Sequence, residues 1–433
     1  MPNLKKGSRK LLNAWAFYDW ANSVYSLVIA SAVFPIYYAA LFDMKGVESA
    51  EVLGWELESG PIIYYTTALA FLIVSFISPL LSGIADYSGN KKIFMKFFCY
   101  LGGLSCIALY FFSLENIHLS LLAYLLALIG FWASLVFYNS YLPDIAFPYQ
   151  HDRVSARGYS MGYIGSVILL VINLVMVLGA EEGEPQIRAM QWSFVMVGVW
   201  WIAFAQYSFY YLPKGTSEGK KITRSILFNG YRELQGVYRS LTGNPKLKRY
   251  LAAFFVYSMA VQTVMLVATY FGEQEIAWGG DSEKTMGLII SILIIQLVAV
   301  LGAILTARSS EKYGNIPTLI VINLIWVAIC VFAYFMESSM QFYIAAGVVG
   351  LVMGGIQSLS RSTYSKFLPE TTDTASFFSF YDVAEKIGIV IGMVIYGTID
   401  LVTGSTRNSV LFLVVFFITG VILLLRVPKN QPQ

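Results

Sequence analysis

Long apolar runs follow one another along almost the whole chain, and short polar segments separate them. A helix needs about 20 predominantly apolar residues to cross the hydrocarbon of a bilayer, and twelve runs reach that length. The pattern therefore predicts an all-α membrane protein, since the shorter, strictly alternating segments typical of a membrane β-barrel are missing from it. We number the predicted helices 1 to 12, with approximate limits 14–41, 61–83, 93–113, 119–142, 159–179, 191–212, 249–272, 285–307, 316–336, 341–363, 376–400 and 408–427.

The composition supports this interpretation. Hydrophobic residues make up 57% of the 433 residues and charged residues 13%, about half the share usual in a soluble domain. The net charge of +3 gives no indication of nucleic-acid binding. The first run holds Asp19 and Asn22 and is too long for the apolar part of a signal peptide, so we expect it to remain as a spanning helix.

The positions of lysine and arginine predict the orientation. With the N-terminus in the cytoplasm, 24 of the 29 Lys and Arg fall in cytoplasmic segments and four fall outside. Short cytoplasmic loops of membrane proteins carry such an excess of positive charge. The distribution therefore predicts a multi-pass protein with both termini in the cytoplasm. Separately from this charge argument, we expect the membrane to be a bacterial inner membrane.

A basic segment divides the chain into two sets of six helices. The predicted domains are an N-terminal six-helix bundle at 1–212, a basic cytoplasmic linker at 213–248 and a C-terminal six-helix bundle at 249–433. A repeat supports the division, because Asp86 after helix 2 and Glu311 after helix 8 lie 225 positions apart in similar turns. Related six-helix halves of this kind are typical of secondary transporters.

The linker itself allows two interpretations. Its apolar residues recur at helical spacing, which indicates a short amphipathic helix on the inner membrane face. The alternative is a solvated connector between two bundles. The spaced residues are Leu227, Tyr231, Leu234, Tyr238 and Leu241.

The turn between helices 2 and 3 reads "GIADYSGNKK". Gly83 and Gly89 permit a sharp turn at a helix end. Asp86 can cap a helix N-terminus or accept from a nearby cation. Lys91 and its neighbour Lys92 are expected at the negatively charged inner leaflet. Taken alone, the segment could be a plain tight turn with a basic anchor.

This turn resembles the loop signature of the major facilitator superfamily, although Tyr87 and Asn90 depart from it. The resemblance implies the major facilitator fold, in which the acid locks one conformation by pairing with the other half. "AWAFYDWANSVYS" in helix 1 and "GGIQSLSRSTYSKFLPE" in helix 10 are similar to the branch that holds vacuolar amino-acid effluxers of the autophagy type and their bacterial relatives. The gating loop that the resemblance implies comprises Gly83, Asp86, Gly89, Lys91, Glu311 and Gly314.

Polar side chains inside the predicted helices are the candidate substrate or ion pathway, because they are costly in hydrocarbon. Some have simpler roles open to them: an acid near the start of helix 1 is favoured by the helix dipole, and amides can join neighbouring helices. The candidates are Asp19, Asn22, Tyr25, Asn139, Gln262, Gln296, Gln357, Asp382, Glu385 and Lys386.

Helix 11 carries three charges near its middle, in "YDVAEKIG". Facing lipid, they would cost on the order of 8–10 kcal/mol. Asp382 and Lys386 are spaced to form a bridge along the helix. In a structural arrangement, that bridge leaves Glu385 bonded to a neighbouring helix. In a functional one, either Glu385 or Asp382 takes up protons, or Lys386 holds an anionic group of the substrate.

The sequence shows no arrangement of residues that indicates a catalytic centre or a metal site. Three cysteines and two histidines show neither metal-ligand spacing nor a nucleophile arrangement, so we expect no enzyme activity, no metal and no cofactor. They are Cys99, Cys106, Cys330, His118 and His151.

The predicted function is secondary active transport of a small polar metabolite by alternating access, coupled to protons. The absence of a Walker motif from the sequence excludes ATP as a direct energy source through that motif. The resemblance implies an amino acid or a short peptide as substrate. Expected partners are this substrate, the coupling ion and the lipid bilayer, and the chain is expected to work as a monomer. A transporter-like sensor and a polytopic membrane enzyme are the alternatives.

Overall fold

The computed structural model describes residues 4–214 and 226–428, and these are almost entirely helical. Twelve helices in the described residues are long and apolar enough to cross a membrane, which confirms the predicted number and the all-α class. In order, helices 1 to 12 occupy Arg9–Lys45, Ser59–Ser88, Lys91–Phe111, Ile117–Ile145, Pro148–Leu178, Glu184–Tyr211, Pro245–Glu275, Glu283–Tyr313, Asn315–Tyr334, Ser339–Phe367, Thr374–Thr403 and Thr406–Leu425.

Helices 7 and 10 begin before their apolar runs, and at both starts a polar residue supplies a cap. Asn244 accepts a hydrogen bond from the backbone of Leu247 at the start of helix 7. Ser338 and Gln341 form a reciprocal capping box at the start of helix 10. Such caps satisfy backbone groups that a helix end leaves free. An apolar pattern cannot show them, and it placed the start of helix 5 at residue 159.

Helix 1 changes its winding partway along. Residues Tyr25–Val33 form a π-helix between two α-helical segments, and within it the side-chain hydroxyl of Ser31 donates to the carbonyl of Ser26. π-Helical segments are rare and often occur at functional sites. Residues beyond Val24 therefore lie on a different face from the one that a continuous α-helix would give them.

A β-hairpin, which the sequence analysis did not predict, joins helices 1 and 2. Strands β1 (Ser49–Val52) and β2 (Trp55–Glu58) pair antiparallel. The two residues between them, Leu53 and Gly54, have φ of 53° and 83°, as a two-residue hairpin turn with positive φ requires. His118 accepts a hydrogen bond from the Leu53 backbone at 3.1 Å.

Two compact units make up the chain. Unit 1 comprises Met1–Ile145, Met161–Leu234 and Thr372–Ser379. Unit 2 comprises Ala146–Ser160, Gln235–Thr371 and Phe380–Gln433. The first turns of helices 5 and 11 thus belong to a different unit from the remainder of the same helix. The predicted bundles at 1–212 and 249–433 do not have this exchange of short segments.

Part of the predicted linker 213–248 can be described. Residues 215–225 lie outside the described residues, whereas Ile226–Gly243 forms a helix that we call the linker helix. Among the five spaced apolar residues, Leu241 is buried and Tyr238 is exposed. The side chains of the other three lie outside the described part.

Glycine allows close helix packing in unit 2. A Cβ at Gly354 of helix 10 would overlap the backbone of Ala299 on helix 8, and one at Gly350 would overlap Ile295. Small residues at four-residue spacing commonly permit such contact between membrane helices.

Candidate functional site

The three charges of helix 11 form an ionic cluster with one residue of helix 7. Lys386 forms an ion pair with Asp382, one turn away along the helix. Glu385 Oε2 lies 4.0 Å from the same ammonium. Gln262 of helix 7 donates from Nε2 to Glu385 Oε1 at 2.7 Å. The structure therefore brings together four predicted site residues, which we call the helix-11 cluster.

The members of this cluster differ in exposure. The side chain of Lys386 is 1% exposed, that of Asp382 7% and that of Glu385 18%. Asp382 Oδ2 is buried and has no hydrogen-bond partner among the described residues. A buried carboxylate oxygen without a partner is costly, so a donor or a proton at this atom would be stabilising.

A buried hydroxyl network joins helices 7 and 10 in the same unit. Tyr257 and Tyr250 share a hydrogen bond of 3.2 Å between their hydroxyls, and Tyr257 also reaches Ser360 Oγ at 2.7 Å. Tyr381, next to Asp382 in sequence, stacks on Phe254 with ring centroids 4.1 Å apart. Sequence analysis did not single out these tyrosines and missed the network.

The predicted site residues of helix 1 lie in unit 1. Asp19 is buried and accepts the hydroxyl of Tyr138 at 2.7 Å. Asn22 is also buried, and its Nδ2 has no partner among the described residues. Tyr25 packs against Phe131 and Trp201, with centroids 4.8 and 6.0 Å away. Packing thus accounts for the ring of Tyr25, whereas Asp19 belongs to a polar contact.

Three predicted pathway residues remain, namely Gln357, Gln296 and Asn139. Gln357 Nε2 lies 3.5 Å from Met265 Sδ. Gln296 is half-buried on helix 8, and no hydrogen bond among the described residues joins it to the cluster. Asn139 is half-buried near the end of helix 4.

Asp86 caps the N-terminus of helix 11. Its Oδ1 accepts from the backbone N–H of Ala375 at 3.1 Å, and its Oδ2 accepts from the backbone and hydroxyl of Ser376, both at 2.7 Å. A helix N-terminus attracts negative charge through its free N–H groups and its dipole. Gly89 ends helix 2 with φ of 56°, and Gly83 is buried one turn and a half earlier.

Lys91 and Lys92 are buried, which corrects the expectation that they lie at lipid headgroups. Lys91 pairs with Asp144 Oδ2 at 2.5 Å and donates to Thr374 Oγ1 at 2.7 Å. Lys92 donates to the carbonyl of Leu212 at 2.6 Å. A buried ammonium is stable only with such partners, and the carbonyls at nearby helix ends and a carboxylate provide them.

In unit 2, Glu311 forms an ion pair with Arg153 at the start of helix 5, where Arg153 Nη2 donates to Oε2 at 2.6 Å. Gly314 ends helix 8 with φ of 90°. The neighbouring Asp152 has a side chain only 1% exposed and pairs with Lys366 Nζ at 2.5 Å.

Further donors complete the bonding of Asp152. Ser310 donates its hydroxyl at 2.8 Å and Asn315 its amide at 3.0 Å. Sequence analysis missed this acid because it searched only inside the predicted helices, and predicted helix 5 began at residue 159.

Arg361 is a second residue that sequence analysis missed. It is 2% exposed, although it lies within helix 10. Its Nε donates to Ser155 Oγ at 2.9 Å, its Nη2 to the Ser155 carbonyl at 3.0 Å, and its guanidinium lies 4.2 Å from the ring centroid of Tyr159. Arg361 therefore fixes the first turns of helix 5 to helix 10. Extending the search to the last turn of helix 10 would have found it.

Similarity to known proteins covers nearly the whole chain. Residues 7–432 match the protein family described as vacuole effluxer Atg22 like. The "uncharacterized MFS-type transporter YxiO" of Bacillus subtilis is 32% identical over 436 residues, which cover 99% of this chain and 97% of that protein. Autophagy-related protein 22-1 of Phaeosphaeria nodorum is 20% identical, over 94% of this chain and 88% of its own length.

Solved structures of transporters share the fold. The E. coli fucose:proton symporter FucP superposes with a TM-score of 0.69 at 15% identity, covering 97% of this chain and 98% of that one. The proton:xylose symporter XylE gives a TM-score of 0.69 at 12% identity, covering 97% and 95%. At this identity the likeness concerns the fold alone.

Proposed function

The chain belongs to the family of Atg22-like vacuole effluxers and has the major facilitator fold, and from this premise we propose that it carries a small polar metabolite by proton-coupled alternating access. Membership of the family and the twelve-helix fold confirm the resemblance inferred from the sequence. The chain is thus an MFS-type transporter. The substrate class, the coupling ion and the direction of transport belong to the proposal.

The helix-11 cluster carries this proposal. Counting from Thr374, Asp382 lies about 12 Å and Lys386 about 18 Å along the helix at 1.5 Å per residue. Both positions lie well inside a hydrocarbon layer roughly 30 Å thick. Ionisable groups at such depth usually serve a transport or proton pathway, because a protein without that need would replace them by apolar residues.

Within the cluster, we assign proton uptake to Glu385. It retains more exposure than the other two ionisable groups, and the proposal requires that this exposed part faces water. Gln262 holds its Oε1, and Lys386 lies near its Oε2. Protonation of Glu385 would remove one of the two negative charges near Lys386. The ammonium would keep its ion pair with Asp382, and we propose that this loss of one negative charge changes how the cluster binds an ionic group.

An amino acid or a short peptide fits this cluster as substrate. Both carry a carboxylate and an ammonium group, and the cluster offers a cation beside carboxylates. The description of the family as effluxers supports export as the direction. The proposed location is a bacterial inner membrane with both termini in the cytoplasm, and the proposed working unit is a monomer.

The role proposed for the gating loop rests on its contacts with the first turns of helices 5 and 11. Asp86 holds the start of helix 11, and Glu311 pairs with Arg153 at the start of helix 5, which Arg361 also holds. Alternating access requires contacts that form in one conformation and break in the other. Several hydrogen bonds at each helix start provide such contacts.

Transport by purified protein in liposomes tests the proposal. We expect at least one amino acid or short peptide to accumulate when a pH gradient is imposed. Glu385→Gln should abolish accumulation driven by the gradient while leaving counterflow exchange of the same compound. Asp400→Asn, on the same helix near its other end, is the matched control and should behave as wild type.

Three outcomes would contradict this assignment. Gradient-driven accumulation by Glu385→Gln at the wild-type rate would exclude Glu385 as the coupling acid. If the wild-type protein accumulates substrate at the same rate with and without the pH gradient, protons would be excluded as the coupling ion. Failure of every amino acid and peptide to exchange would exclude the substrate class.

A further inference from the structure

An apolar groove opens beside the linker helix in unit 2. Its volume is about 420 Å³, and residues of the linker helix and of helices 7, 11 and 12 line it. The lining includes Leu241, Ala252, Phe255, Ala384 and Leu423, with one cation, Lys248. We call it the linker groove.

The polarity of the linker groove changes along its length. Lys248 is exposed and lies three residues from the start of helix 7, whereas Val256 lies eight residues further along. That spacing corresponds to a depth of about 12 Å at the rise of an α-helix. One end of the groove is therefore cationic and the deeper part is apolar.

The chain around the cationic end adds positive charge. Residues 235–249 contain four cations and no acid in the sequence. Each basic residue near a membrane surface attracts anionic lipid. The four cations are Arg239, Lys246, Lys248 and Arg249.

We propose that the linker groove binds one anionic phospholipid, with an acyl chain against Ala252 and Ala384 and the phosphate beside Lys248. The ligand must be amphiphilic, because the groove is cationic at one end and apolar at the other. A phospholipid reaches the groove directly, since helices 7, 11 and 12 are membrane-spanning helices. A soluble peptide would have to leave water to enter the same space.

Ala384 brings helix 11 into the lining of the linker groove. Ala384 lies two residues from both Asp382 and Lys386, which places it about 200° around the helix from each. A bound acyl chain would therefore pack on the side of helix 11 opposite the Asp382–Lys386 pair. The site itself does not depend on the proposed transport function.

A second groove serves as an internal control. It lies in unit 1, has a volume of about 490 Å³, and is lined by apolar and uncharged polar residues of helices 3 and 4, including Ala108. Because its lining holds no cation, we expect it to accept acyl chains without preference for the headgroup.

Native mass spectrometry of the purified full chain, with phosphatidylglycerol or phosphatidylcholine supplied at equal concentration, tests the proposal. Wild type should retain phosphatidylglycerol in preference. Lys248→Gln should weaken retention of phosphatidylglycerol about fivefold, the effect of one cation at a membrane surface. Ala252→Trp fills the apolar part and should reduce retention of the same lipid.

Two matched variants and one soluble probe complete the experiment. Lys312→Gln removes an exposed cation outside the groove, and Ala108→Trp fills the second groove; both should keep the preference for phosphatidylglycerol. Glycerol phosphate, which has the headgroup chemistry without acyl chains, should not displace the lipid.

Equal retention of the two lipids by wild type would overturn the proposal. So would unchanged retention in Lys248→Gln, or displacement by glycerol phosphate alone, which would indicate a site for free phosphate. If Ala252→Trp fails to fold, the retention of phosphatidylglycerol by Lys248→Gln, compared with its retention by Lys312→Gln, still tests the proposal.

Discussion

Replacing Asp86 by alanine should release the first turn of helix 11. The carboxylate accepts three hydrogen bonds there, two from backbone N–H groups and one from the Ser376 hydroxyl. Losing a helix cap costs about 1 kcal/mol, and losing a partly buried charge at a helix N-terminus costs about 1–2 kcal/mol more. The sum, about 2–3 kcal/mol, corresponds to a 30- to 150-fold change in the local opening equilibrium.

Hydrogen–deuterium exchange of the peptide that contains Ala375 and Ser376 measures this opening directly. Exchange in Asp86→Ala should be faster by about the same 30- to 150-fold, since exchange follows the population of the open state. Ser376→Ala removes one of the three hydrogen bonds and should accelerate exchange only about fivefold, from roughly 1 kcal/mol.

The control removes an acid that makes no contact with helix 11. Asp43 is exposed near the end of helix 1, and Asp43→Ala should leave the exchange of the peptide at the wild-type rate. The reasoning fails if Asp86→Ala exchanges within twofold of wild type, or if Ser376→Ala exchanges as fast as Asp86→Ala.

Three further predictions concern stability, each measured by unfolding of the purified protein in detergent. Asp152→Ala leaves the ammonium of Lys366 without its carboxylate and should cost about 3 kcal/mol; a loss below 1 kcal/mol would contradict the importance of the pair. Arg361→Lys loses the forked hydrogen bonds and the stacking on a tyrosine, and should cost about 2 kcal/mol; wild-type stability would refute this. Gly354→Ala should destabilise because its Cβ overlaps the backbone of helix 8, whereas Gly236→Ala, where a Cβ meets nothing within 4 Å, should be neutral or slightly stabilising.

The sequence predicted the helices well, because length and hydropathy alone determine whether a segment can cross a membrane. It also indicated that Asp86 can cap a helix, since the residue type and the adjacent turn permit it. The pairing of Glu385 with a neighbouring helix was among the open alternatives, and the structure identifies the partner as Gln262. The sequence could not show that the helix capped by Asp86 is helix 11. Asp86 and Ser376, whose backbone it accepts from, lie 290 positions apart in sequence.

Other features were missed for identifiable reasons. Asp152 and Arg361 lie near helix ends, where a polar residue is ordinary and gives no signal in a single sequence. The burial of Lys91 depends on Asp144 and Thr374, which only the folded chain brings together. The π-helix of helix 1 needs no unusual residue type, so an apolar run does not reveal it.

The exchange of short segments between the two units affects what happens if the chain is cut. A break within the segment that joins helix 6 to the linker helix would yield two fragments, and neither would contain a complete unit. The first fragment would lack Thr372–Ser379 and the second would lack Ala146–Ser160. Made separately, the first would present the carboxylate of Asp86 without its helix start and the second would leave Arg361 without Ser155. Co-expression of the fragments should therefore be needed to protect either one from proteolysis.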